Sequence, residues 1–148
     1  MTQVPTFQEI VSSHGHTCPG IALGYKIAVV AAEWSGDETN ISVVSNTTRC
    51  PLDALRTTFD LKKHPERLTV NDINKSNFIL TKPNGSKLII EEVPGSKVKN
   101  AEGDALRQKM KDGKASVEEI ARFDEIQKAM LQQMIDTPNE KLFTCRTE

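Results

Sequence analysis

The stretch HGHTCPGIALGYKIAVVAAEW, residues 14–34, joins a polar segment rich in metal-type ligands to the most apolar run of the chain. Proline is favoured at the first helical position, so a helix is predicted to begin at Pro19 and run to Trp34, where SGDETN breaks it. Its apolar residues cover almost every face, the pattern of a helix inside a core or a subunit contact. Gly24, Lys26 and Glu33 interrupt it, and it falls short of the roughly 20 apolar residues a spanning helix needs.

Upstream, Phe7, Ile10 and Val11 lie at helical spacing, which predicts a short first helix over residues 6–13 that stops near Gly15. Downstream, β-branched residues 41–44 read as a strand, followed by a helix with Leu52, Leu55 and Phe59 as its inward stripe and Pro51 in its first turn. RLTVND, residues 67–72, reads as a strand. NFILTKPNGSKLIIEEV, residues 77–93, reads as a hairpin whose Asn84-Gly85 pair favours a tight primed turn. Between residues 100 and 135 two helices are expected, separated near Gly113, with Ser116 and Glu119 forming a capping box. Pro138 ends the second, and residues 141–145 return as a last strand, which places Cys145 in the core. The predicted class is α+β, an antiparallel sheet packed against helices with a buried apolar helix after HGHTCPG. One domain is expected over residues 1–148, a length that buries roughly two thirds of the unfolded surface.

The formal charge of −1 gives no field to capture nucleic acid or an anionic membrane, leaving small neutral partners, with a small-molecule ligand among them. The N-terminal residues lack a basic start followed by an apolar run, so a cytoplasmic location is expected. Three widely spaced cysteines do not form a disulfide framework, and reduced thiols are expected.

His14, His16 and Cys18 alternate, so an extended backbone projects all three to one side. Imidazole and thiolate are the ligands of zinc and related transition metals, and three donors leave a position for a distant residue or a water. Cys50 is the candidate distant donor, because both Cys18 and Cys50 precede a proline at a helix start. Free amides and the helix dipole there favour a thiolate, which lowers a thiol pKa. The competing reading makes each cysteine a small apolar filler, His14 a helix cap and His64 a solvent-exposed loop residue. Tyr25 is by default a packing residue, and Lys62, Lys63 and Arg67 by default face water.

HGHTCPGIALGYKIA, followed at a distance by CPLDAL at 50–55, resembles the E-subunit family of formylmethanofuran dehydrogenase. The likeness is motif-grade over residues 14–26 and 50–55 and follows the order of elements over most of the chain. It implies an α+β core assembled as a homodimer, with a metal held by His16, Cys18 and Cys50 and with His14 beside them. Members often carry a C-terminal cysteine-rich zinc module; this chain has no such cysteine pairs and reads as a core domain alone. Where members continue with a cysteine and a Gly-Lys-Gly stretch, this chain has Leu61 and His64-Pro65-Glu66, which makes His64 a substitute donor to test. The reduction of carbon dioxide in the named enzyme depends on molybdenum or tungsten in its other subunits and does not follow from the resemblance.

Three functions compete. In the first, a divalent transition metal, zinc by ligand chemistry, and the thiolates of Cys18 and Cys50 hold or activate a small ligand. In the second, a metal-free thiol enzyme or redox protein uses Cys18 as nucleophile, His16 as base and Cys50 as resolving thiol. In the third, a noncatalytic accessory protein carries a bracing metal and makes a partner contact through its apolar helix.

Overall fold

A computed structural model describes residues 6–14, 18–96 and 99–148, with Ser13 and His14 described as backbone only. In chain order it contains α1 (Phe7–His14), α2 (Pro19–Ser35), β1 (Ser42–Ser45), α3 (Cys50–Thr58), a 3-10 turn (Pro65–Arg67), β2 (Leu68–Val70), β3 (Phe78–Thr81) and β4 (Lys87–Glu92). They are followed by α4 (Ala101–Lys111), α5 (Val117–Asp136), α6 (Asn139–Leu142) and β5 (Phe143–Thr147). The class is α+β, as the sequence predicts. The five-stranded sheet has the order β2-β1-β3-β4-β5 and is antiparallel except where β2 joins β1. That pair is parallel because the chain crosses over through α3 between the two strands.

α2 is the central element. Cys18 is extended (φ −152°, ψ 162°), Pro19 opens the helix, and Gly36 at φ +58° closes it with its N–H donated to the Ala32 carbonyl. Ile21, Ala22, Ile27, Ala28 and Ala31 are fully buried, so most of the helix is covered by the chain's own core, while Lys26, Val29, Val30 and Glu33 mark one face that is only partly covered. One side meets the inner face of the sheet, where Val43, Phe78, Leu80, Leu88 and Ile90 point inward at alternate positions. Leu52, Leu55 and Phe59 of α3 join this cluster as the expected stripe. Ile10, Ile21, Ala28 and Ala54 form a second cluster between α1, α2 and α3, with Tyr25 edge-on to Phe7 at 5.4 Å. Tyr25 is therefore a packing residue.

α4 and α5 are the two helices expected after residue 100, and Gly113 between them has φ +69°. The Ser116 hydroxyl accepts from the Glu119 N–H, and the Glu119 carboxylate accepts from the Ser116 N–H, which completes the predicted capping box. Among the described residues no helix is long and apolar enough to cross a membrane.

Two local expectations are corrected. The β3–β4 turn is centred one residue earlier than a primed Asn84-Gly85 turn: the Gly85 N–H donates to the Lys82 carbonyl, and Asn84 is not among the positive-φ residues. Pro83 fixes a negative φ at the first central position, which a primed turn forbids. A type I turn followed by Gly85 at φ +92° satisfies both residues. Cys145 is exposed rather than in the core, because β5 is an edge strand from which only Phe143 turns inward.

The tightest contact in the fold is between α2 and α3. A Cβ on Gly24 would lie 2.8 Å from the Pro51 Cα and 3.0 Å from the Ala54 Cβ, so the helices meet backbone to backbone there. Gly24→Ala forces them apart. The expected net destabilisation is about 1–2 kcal/mol, overpacking outweighing the better helix propensity of alanine, read as a lower denaturation midpoint with an unchanged slope.

Candidate thiol site at two helix starts

The α2–α3 contact lies close to where both helices begin. Cys18 is the residue before α2, Cys50 is the first residue of α3, and a proline follows each. The Cys18 and Cys50 sulfurs are hydrogen-bonded across 3.4 Å, joining residues 32 positions apart in the chain. Both are reduced and half-buried. Gly20 leaves the space they need: a Cβ there would stand 3.2 Å from the Cys50 Cβ and 3.9 Å from the Cys18 sulfur.

The electrostatics of the pair run against the sequence expectation. A helix start by itself depresses a thiol pKa, but the Cys50 thiol is held well above its ordinary value. The main cause is its hydrogen bond with Cys18, followed by burial and by repulsion between two sulfurs so close together. A backbone hydrogen bond pulls the other way and is outweighed. Without a cation Cys50 therefore keeps its proton.

The histidines are placed less completely. His14 closes α1, so it does not share one extended strand with His16 and Cys18 as the alternating pattern implies. Its side chain, and the whole of His16, lie outside the described residues. Among the described residues no three His, Cys, Asp or Glu side chains cluster as a ligand set, so His64 does not join the two cysteines as a third donor. Its Nδ1 lies 3.4 Å from the Glu66 carboxylate and its side chain is 45% exposed. In the neighbouring basic stretch, Lys62 and Lys63 are exposed and Arg67 donates to the Thr39 carbonyl at 2.9 Å.

The thiols open onto a cleft of about 540 Å³. One wall is the start of α2 and α3, with Cys18, Pro19, Gly20 and Leu23 from the first and Arg49, Cys50 and Pro51 from the second. The opposite wall comes from later in the chain, Asp104 and Arg107 on α4 and Phe123, Gln127, Met130 and Met134 on α5. Sequence reasoning missed this second wall. The α5 residues do recur at i, i+4, i+7 and i+11, but that spacing alone reads as an ordinary core-facing stripe.

A family model described as FmdE, molybdenum formylmethanofuran dehydrogenase operon, matches residues 13–144. Among solved structures, the fold is similar to a tungsten formylmethanofuran dehydrogenase FmdE-like protein from Syntrophus aciditrophicus. The TM-score is 0.60 at 15% identity, over 95% of this chain and 68% of that one. No curated protein matches.

The raised Cys50 pKa predicts a pH dependence of stability. An acid whose folded pKa is raised contributes stability below its ordinary value, here 9.0, and loses that contribution as pH rises beyond it. Thermal unfolding of the metal-free protein should therefore fall more steeply with pH above 9.0 than that of a Cys50→Ser variant. Parallel curves for the two proteins would reject the assignment.

Proposed function

This chain belongs to the FmdE family, and from that premise we propose that it binds a divalent transition metal, zinc by the chemistry of its donors, and holds or activates a small ligand there. The observation that carries this reading is the 3.4 Å approach of the Cys18 and Cys50 sulfurs beside an open cleft. Two thiolates bonded to one tetrahedral zinc at roughly 2.3 Å stand about 3.8 Å apart, and the observed separation differs from that by a few tenths of an ångström. The donor set fits the ion in kind, with His16 as the imidazole that completes a three-residue set and His14 beside it.

Each residue has a separate task. Cys18 and Cys50 supply anionic sulfur once a cation displaces the thiol protons, and the amides at the starts of α2 and α3 favour that charge. Gly20 keeps the space around the sulfurs clear. A bound zinc supplies Lewis acidity and, at an open position, an acidified water. A homodimer belongs to the same reading, and light scattering should return twice the 16.4 kDa of one chain.

Metal analysis of protein purified without a chelating tag tests the central claim. The expected content is about one zinc per chain, falling several-fold in Cys18→Ser and in Cys50→Ser, with alkylation of both thiols accelerated by a chelator. Metal that stays far below stoichiometry after reconstitution rejects it.

The same short sulfur separation supports a second reading, a metal-free redox pair in which Cys18 and Cys50 close a disulfide. In that case mild oxidation yields a Cys18–Cys50 bridge by peptide mapping, and a chelator does not change the alkylation rate.

A further inference from the structure

The cleft beside the thiols is lined by two arginines whose guanidiniums make no hydrogen bond or ion pair among the described residues. The chain has six arginines. Arg56 bonds the Asp53 carboxylate, Arg67 the Thr39 carbonyl, Arg122 the Glu102 carboxylate and Arg146 the Glu91 carboxylate. The other two, Arg49 and Arg107, both line the cleft, and among the described residues neither guanidinium has a hydrogen bond or ion pair. Arg49 directly precedes Cys50, so one of the unused cations stands next to the sulfurs in sequence and on the same wall. Arg107 rests over the Phe123 ring, with its central carbon 5.5 Å from the ring centroid.

The rest of the lining limits what these cations can take. Among the described residues Asp104 is the single carboxylate in the lining against two guanidiniums, which leaves one net positive charge and matches a monoanion. No described lysine lines the cleft. Guanidinium pairs with planar carboxylate through two parallel hydrogen bonds, a geometry an ammonium does not offer. Phe123, Met130 and Met134 contribute apolar lining from α5, and methionine adapts to aromatic and branched shapes. The volume of about 540 Å³ is that of a site for a small molecule.

We propose that the cleft binds a small organic carboxylate, its anionic end at Arg49 and Arg107, its apolar body along Phe123, Met130 and Met134, and its far end at Cys18 and Cys50. This names the ligand class of the site proposed above. It rests on that reading only in taking the sulfurs as the reactive end, not on the identity or presence of a metal.

The test uses two alkylating probes of one shape, 4-(bromomethyl)benzoate and its neutral amide, on the full-length reduced protein. In both, thiolate sulfur bonds the benzylic carbon and bromide leaves, so the probes differ only in charge. Rates at Cys18 and Cys50 are read by peptide mapping in metal-free protein and normalised to the same chain in denaturant. The expected result is a preference for the anionic probe of about tenfold, as a charge-assisted contact provides, which drops to near unity in R49Q/R107Q. Unreactive 4-methylbenzoate should slow the neutral probe in the natural chain and not in the double variant. Both arginines are exposed, and unchanged thermal unfolding of R49Q/R107Q shows that it folds. Equal normalised rates for the two probes, or a preference that survives in R49Q/R107Q, overturn the proposal. Zinc content measured on the same preparations reports separately on the metal reading, so one can fail while the other stands.

Discussion

The contact that the rest of this structure depends on is the close approach of α2 and α3 at Gly24, where the missing side chain admits the Pro51 backbone to a distance that any Cβ would block. Because the helices touch at backbone distance there, their first turns converge, and the two residues at those turns are the cysteines. Gly20 repeats the device one turn earlier, beside the sulfurs themselves. Two glycines four residues apart on one helical face thus set both the spacing of the helices and the spacing of the thiols. The prolines that follow each cysteine serve the same end, since they start the helices without leaving an N–H to be satisfied.

The far wall of the cleft is held by different means. α4 lies against α5 where Gly103 faces the Ile126 side chain, 3.1 Å from the position a Cβ would occupy. The ion pairs that bridge the two helices, Arg122 with Glu102 and Lys109 with Glu119, are largely exposed and contribute little by themselves. α5 is anchored to α2 through core contacts of Met134 and through the Lys26 ammonium, which donates to the Thr137 carbonyl near the end of α5. The cleft is therefore assembled from residues about a hundred positions apart, with a sulfur-bearing wall from the first third of the chain and a cationic, thioether-lined wall from the last.

What could be read from residues alone follows from this division. Helix starts and stops are local chemistry, so Pro19, Gly36 and the Ser116–Glu119 box mark their elements in the sequence as they do in the structure. The convergence of Cys18 and Cys50 is legible because both carry the same CysPro signature. Three features are not legible. The hairpin turn depends on Pro83 competing with Asn84-Gly85 for the same four positions, and the proline constraint wins. The exposure of Cys145 depends on β5 lying at the sheet edge, which is a property of strand order and not of the strand. The sulfur electrostatics depend on a hydrogen bond between partners far apart in sequence, which overrides the helix-start effect visible at each cysteine separately.

The strand order also has a kinetic side. β3 and β4 are neighbours in sequence and can pair early, but the other flank of β4 is taken by β5, which is reached only after about fifty further residues that fold into helices. While the polypeptide is being made, β4 therefore presents an open row of amides and carbonyls, with Leu88 and Ile90 side chains alongside. During that interval the nascent chain is at its most adhesive, and the speed with which α4 and α5 collapse onto α2 sets how long the vulnerability lasts.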